Sequence, residues 1–251
     1  MTKAYNKVVV SIEARMSSSR LPGKMLMGIG KKSVIQHLVD RLRLCKEVDD
    51  IIIATTTNPK DDPLVSWAEH YNVKYYRGSE NDVLQRVIDA NEFINTDTIV
   101  EITGDCPFTD PEIVDLAVQT YKVNECDYLT NCEVFSAPPG LYVQVFSLES
   151  LKRIGDMIKD PAVREHVSLY YYENPDKYKI IHLMSPLKWK LPKDTRIYLD
   201  YEEDLTFLRA IDDYFAKKNV EFYFADDIVN LIKSNPELLN INRFKSNVPV
   251  R

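Results

Sequence analysis

Hydrophobic and polar positions follow two alternating periods along the first half of this chain. The β-branched runs "VVVSI", "DIIIATTT", "VKYYRG" and "DTIVEITGD" read as strands. Between and after them lie "SVIQHLVDRLRLCK", "DPLVSWAEHY", "DVLQRVIDANEFI" and "DPEIVDLAVQTYKV", whose apolar residues return every three or four positions, as on one face of a helix. This rhythm predicts an α/β fold with a mostly parallel sheet flanked by helices on both faces. Past about residue 127 it loosens. "DYLTN", "GLYVQVFS" and "KIIHLM" predict strands of a mixed or antiparallel part, with "SLESLKRIGDMI" and "AVREHVSLYYYEN" as helices between them. "RIYLD" predicts a further strand and "EEDLTFLRAIDDYF" a further helix. No repeat or Gly/Ser linker divides the chain, so a single domain over 1–251 is expected, with about 127–190 as a sub-structure within it.

Composition narrows the function classes. The chain has 251 residues, 45% hydrophobic and 28% charged, with a net charge of -6. That acidic balance argues against nucleic acid or a membrane surface as partner and gives local basic clusters more meaning. Cys45, Cys106, Cys126 and Cys132 show no CxxC spacing, so reduced thiols are expected rather than structural zinc. The N-terminus leads into only a short apolar run and no stretch approaches a membrane span, so no signal peptide and a cytoplasmic location are expected.

"ARMSSSRLPGK", residues 14–24, concentrates positive charge and hydroxyls immediately after the first strand. Ligands of open α/β sheets bind at the carboxyl ends of strands. The loop is neither a Walker A loop nor a GxGxxG turn, but its chemistry suits phosphate. Backbone N–H groups from Ser17 to Ser19 can form an anion-binding concavity. Arg15 and Arg20 offer planar forks, and Lys24 a point charge. The other reading is a solvated loop whose charges touch nothing; its place after a buried strand argues against it. Asp105 in "TGDCPFTDP" follows a strand and could hold a hard cation or cap a turn. Asp110, before Pro111, reads as a helix cap. Asp200 in "RIYLDYEED" also sits at a strand end, ahead of an acidic first helical turn.

"ARMSSSRLPGK" resembles the N-terminal signature of the cytidylyltransferases that activate acylneuraminate and 3-deoxy-manno-octulosonate, and most of all their relatives of the spore coat polysaccharide biosynthesis protein F type. "IIIATTTNPKDD", "YRGSENDVLQRV", "EITGDCPFTDPEIVD", "REHVSLYYYENP", "LDYEEDLTFLRAI" and "NPELLNIN" resemble further blocks of that group in order, across nearly the whole chain. The resemblance implies a glycosyltransferase-A-like fold and Mg²⁺-dependent transfer of CMP from CTP to an acceptor, with pyrophosphate released, in surface polysaccharide or glycoconjugate precursor synthesis. It implies Arg15, Arg20 and Lys24 as the catalytic phosphate cradle and Asp105 and Asp200 as metal ligands, with Asp204 in support. Ala14, Ser17, Ser19, Thr55, Thr56, Asp62, Ser79, Asp82 and Arg86 would bind the nucleotide, although Ser79 and Asp82 also fit a capping box. Tyr142, Gln144 and His166 would meet the acceptor, and 127–190 would serve acceptor binding and a homodimer contact. Two other readings stand beside this one: a glycosyltransferase on the same fold, and a non-catalytic nucleotide-binding relative. Only one aspartate of a DxD motif is present in "GDC", which disfavours the first. Where the group commonly reads G-L-D-x-E-x-F, this chain has "GLYVQVF". Tyr142 and Gln144 share a strand face, and replacing an acidic pair there predicts an anionic acceptor, an acidic sugar or a phosphorylated small molecule.

Overall fold

The computed structural model describes residues 7–132 and 137–243. Residues 133–136 of the expected sub-structure lie outside the described residues, as do both ends of the chain. The strands are β1 (Val8–Glu13), β2 (Gly28–Ile29), β3 (Lys32–Ser33), β4 (Asp50–Thr56), β5 (Lys74–Gly78), β6 (Thr98–Thr103), β7 (Tyr128–Thr130), β8 (Gln144–Ser147) and β9 (Ile180–His182). The helices are α1 (Val34–Leu42), α2 (Asp62–His70), α3 (Val83–Phe93), α4 (Pro111–Val123), α5 (Leu148–Met157), α6 (Pro161–Glu165), α7 (Leu169–Tyr172), α8 (Glu202–Lys217) and α9 (Ala225–Ser234). Seven strands form one sheet in the order β5-β4-β1-β6-β8-β7-β9. β5, β4, β1 and β6 run parallel, β8 is antiparallel to both neighbours, and β9 is parallel to β7. The mostly parallel sheet with helices on both faces is the expected one, including its mixed second half.

Side-chain alternation assigns the two faces. In β1, Val8, Val10 and Ile12 join a large core with α1, α2, α4, α8 and α9, while Val9 joins a second core with α3, α5, α6 and α7. On that second face the residues after Val9 are Ser11 and Glu13, and in β6 those after Ile99 are Glu101 and Thr103. One sheet face is therefore apolar at its amino end and polar at its carboxyl end. The polar end is where a site can open without exposing the core. Among the described residues no helix is long and apolar enough to cross a membrane.

Two expectations change, and further elements were not foreseen. "RIYLD" is not a strand. Its N–H groups go to loop carbonyls instead, Ile197 to Pro139 O at 2.9 Å and Leu199 to Asp105 O at 2.9 Å, so the segment lies against the loops above the sheet. The single helix expected over "AVREHVSLYYYEN" is broken into α6 and α7, because His166 takes an extended backbone (φ -113, ψ 92). The short β2–β3 ribbon and α9 had no counterpart in the sequence reading.

The docked segment depends on Gly140. Its φ is +104, and a Cβ there would stand 2.3 Å from Ile197 O. Gly140→Ala should cost about 1–3 kcal/mol of stability through strain and displacement of residues 195–200. Gly28→Ala, with nothing within 4 Å of its added Cβ, should be near neutral; urea unfolding of the two variants makes the comparison.

Candidate active site

The basic loop leaves β1 at its carboxyl end and is tied down along its length. Asp61 is fully buried. One of its oxygens accepts from Met16 N at 2.6 Å, and the other from the backbone N of Thr56 at 3.3 Å and from the Thr56 hydroxyl. The loop is thus pinned to the end of β4. Glu80 accepts from Ser17 Oγ at 2.8 Å and Asn58 Nδ2 at 2.9 Å, and Arg15 Nη1 lies 3.8 Å from it. Gly104 lets the loop after β6 come close: a Cβ there would stand 2.9 Å from both Ala14 Cβ and Met25 Sδ.

That approach brings Lys24 to the centre of the site. Its Nζ donates to Asp105 Oδ2 at 2.8 Å, Leu199 O at 2.7 Å and Asp200 Oδ1 at 3.0 Å. Arg20 Nη2 reaches Asp200 Oδ2 at 3.0 Å. Burial pulls the Lys24 ammonium toward its neutral form, but the two carboxylates outweigh it and hold the pKa above the usual lysine value. Burial likewise raises Asp105, and the Lys24 charge more than offsets it, leaving that carboxyl below its ordinary value. Asp200 is held from behind. The buried Asp204 accepts from the Asp200 N at 3.0 Å and the Tyr201 N at 2.9 Å, and takes Arg196 Nε at 3.1 Å and Nη2 at 3.0 Å.

Two carboxylate groups and a backbone carbonyl thus already converge on one cation. Oxygen donors of this kind fit Mg²⁺, which binds through one or two carboxylates and completes its shell with water and substrate phosphate. Among the described residues no cluster of three or more His, Cys, Asp or Glu could hold a metal alone, so substrate oxygens would have to contribute.

Beyond Lys24 a cavity of about 530 Å³ opens. Ala14, Arg15, Ser19, Arg20, Lys24, Arg86 and Asp105 line it on the loop side, and Tyr142, Gln144 and His166 on the other. Gln144 Oε1 accepts from Ser168 Oγ at 2.6 Å and from the Tyr128 hydroxyl. Burial pushes the Tyr142 phenol up, so it stays a neutral donor.

Of the other residues named from sequence, Arg86 reaches the cavity wall and the rest below stand apart from it. Asp62 caps the outer side of the turn and pairs with Arg77 at 2.7 Å; Asp61 is the one that reaches the loop. Ser79 and Asp82 form the cap that opens α3, with Asp82 N donating to Ser79 Oγ at 3.1 Å and Gln85 N donating to Asp82 Oδ1 at 3.0 Å. Asp82 also pairs with Arg164. Thr55 and Thr56 are buried, and the Thr56 hydroxyl is spent on Asp61. Arg86 is only 2% exposed and shapes its surroundings by donating to Ala54 O at 3.2 Å and to Ser79 O. Asp110 is the cap of α4, accepting from Glu112 N at 2.8 Å.

Sequence reasoning missed Glu13 and Glu101, which also line the cavity. The available signal was an acid on the period-two face of an otherwise apolar strand, as in "TIVEIT". Burial, and then the Glu101 charge, raise Glu13 well above the usual carboxylate range, with Arg86 opposing. Burial pushes Glu101 up to about 8, with the Ser168 hydrogen bond opposing.

A basic loop, Asp105 beyond the end of β6 and Asp200 of the docked segment thus meet at the carboxyl edge of an α/β sheet, where ligands of such sheets bind. A cytidylyltransferase family model matches residues 9–238, and the chain belongs to that family. It is 34% identical to the uncharacterized protein MJ1063 of Methanocaldococcus jannaschii, over 94% of each chain. It is 30% identical to the spore coat polysaccharide biosynthesis protein SpsF of Bacillus subtilis, covering 92% of this chain and 96% of that one. Its fold matches a cytidylyltransferase from Leptospira borgpetersenii with a TM-score of 0.86 at 31% identity, over 97% of this chain and 99% of that one.

The buried acids give stability a definite pH dependence. A carboxyl whose pKa rises from 4.5 in the unfolded chain to about 8 in the native state keeps its proton while the unfolded chain loses it. Stability from this group is full below pH 4.5 and declines as pH rises toward 8. Glu13 of β1, Arg86 of α3 and Asp105 share the same field. Glu101→Gln removes the titration, so its advantage over the parent should widen by on the order of 1–3 kcal/mol between pH 5 and pH 8. Thermal unfolding at the two pH values reads it, and a pH-independent difference would refute it.

Proposed function

We propose that this protein transfers CMP from CTP to a small acceptor carrying a carboxylate or phosphate, in the synthesis of a surface polysaccharide or glycoconjugate precursor. The observation that carries this reading is the convergence of Arg20, Lys24, Asp105 and Asp200 at one end of a cavity whose far wall holds Tyr142, Gln144 and His166. A triphosphate seated on the loop would take over the donors that Lys24 and Arg20 now give to the carboxylates. Asp105 and Asp200 would then hold Mg²⁺, which when bound neutralises phosphate charge and makes phosphorus more electrophilic.

The acceptor oxygen attacks the α-phosphorus in line with the bond to the β-phosphate. The new P–O bond forms as the old one breaks, the electron pair leaves with pyrophosphate, and the acceptor proton passes to solvent. Lys24, Arg15 and Arg20 stabilise charge that builds on the leaving group. The protein does no covalent work, so position and charge dominate. The enzyme acts in the cytoplasm, where CTP is made, and as a homodimer; the exposed Leu116 and Met184 around a groove of about 460 Å³ support a contact of that kind.

Pyrophosphate release in the presence of CTP, Mg²⁺ and a panel of ulosonates and small phosphates tests the activity. A glycosyl transfer or simple binding gives none. Lys24→Ala should lower kcat by about 10²–10³-fold, because it removes charge stabilisation that strengthens in the transition state. Asp105→Asn and Asp200→Asn should each abolish Mg²⁺-supported turnover, and activity that survives in excess chelator would remove the metal from the scheme.

A further inference from the structure

Two acids stand in the wall of the cavity with no partner for part of their polar surface. The β1–β6 register sets Ser11 opposite Glu101 and Glu13 opposite Thr103. Glu13 and Glu101 are therefore diagonal neighbours on one sheet face, within reach of a common small group. Glu101 also lies opposite Gln144 of β8. Glu101 is 5% exposed. Its Oε2 has no hydrogen-bond partner, and neither has Oε1 of Glu13. Both residues line the same cavity as Tyr142, Gln144 and His166.

The chain's own cations are committed elsewhere. Lys24 spends its donors on Asp105, Asp200 and Leu199 O. Arg20 reaches Asp200, and Arg15 faces Glu80. Arg86 gives Nε to Ala54 O and Nη1 to Ser79 O. The Ser168 hydroxyl donates to Gln144. A buried polar atom left without a partner is costly, and in a native cavity it marks a place that a ligand completes.

The ligand group must bring donors and positive charge. A phosphate or carboxylate would bar either acid from ionising and gain no charge from the pair. A single hydroxyl has one donor for two acids and no charge to favour their ionised forms. Among the described residues no third His, Cys, Asp or Glu joins the pair in a metal-holding cluster. An ammonium has three N–H donors and one compact charge, and it meets both acids at once.

We infer that Glu13 and Glu101 form a cation subsite in the acceptor cavity, and that the acceptor carries a protonated amine in addition to its anionic group. The inference rests on the transferase reading above and specifies its substrate: a zwitterion, such as an aminated acidic sugar or an aminoalkyl phosphate. The two ends of the cavity then divide the labour. The basic loop faces the phosphates, and the acid pair selects the acceptor.

Matched acceptors separate this inference from the reading beneath it. The probes are 8-amino-3,8-dideoxy-manno-octulosonate, its N-acetyl derivative and 3-deoxy-manno-octulosonate, together with phosphoethanolamine, its N-acetyl derivative and ethylene glycol monophosphate, each with CTP and pyrophosphate as the readout. The parent enzyme should favour the amine in the productive series by at least about tenfold in kcat/KM. Glu101→Gln and Glu13→Gln should each raise KM for the amine by about tenfold while changing KM for CTP, and for the matched hydroxyl compound, by less than about twofold. Thermal unfolding confirms that both variants are folded. A best acceptor without an amine, or an equal loss for amine and hydroxyl partners, would overturn the subsite and leave the transferase standing. No pyrophosphate from any probe would overturn the transferase reading and the subsite with it.

Discussion

The Lys24 ammonium is the knot of this structure. It joins the N-terminal loop to Asp105, 81 residues away, and to Asp200, 176 residues away. The Lys24 charge offsets burial and holds the Asp105 carboxyl below its ordinary value, while the two carboxylates hold Lys24 above its own. The Arg196–Asp204 pair extends the knot inward, because Asp204 carries both that guanidinium and the backbone N–H groups of Asp200 and Tyr201. Position and charge at the site are therefore set by one connected network instead of by flexible surface side chains.

The sheet decides where that network can exist. Parallel β4, β1 and β6 end side by side, so three loops rise from one edge with helices behind them. The face toward α3 and α5 changes from apolar to polar along its length, from Val9 and Ile99 to Glu13 and Thr103. The amino end of that face holds the fold together, while the carboxyl end lines the cavity. Docking of residues 195–200 onto the loops, with Leu199 N on Asp105 O, closes the arrangement from the C-terminal half.

Local features of this design were legible in the sequence. The parallel strands and their helices showed their periods directly, and the basic loop and Asp105 stood at recognisable strand-to-loop transitions. What depended on non-local partners was not legible. "RIYLD" has the composition of a strand, yet its N–H groups find loop carbonyls. Asp61 and Asp62 are adjacent and chemically identical; only the turn geometry sends one to the loop and the other to Arg77. A period of two put Tyr142 and Gln144 on one strand face; both do line the cavity, but Tyr142 precedes β8. That Glu101 would face Gln144 across the neighbouring strand needed the register of β8 on β6.

That last contact changes how the cavity handles charge. Read alone, "GLYVQVF" describes a wall that has lost its acids. With Glu13 and Glu101 in place, the acids are instead on the adjacent strands, behind a neutral Gln144. Burial raises both carboxyls, and Glu101, pushed up to about 8, keeps its proton near neutral pH, so the pair does not carry two buried negative charges there. A cation arriving between them reverses this balance, since its charge favours the ionised forms. The desolvation cost of the acids is then met when the ligand is present to offset it, with protons released as it binds. A hydroxyl or an anion in the same place offers no such compensation. Discrimination of this kind comes from the state of the empty pocket as much as from contacts in the filled one.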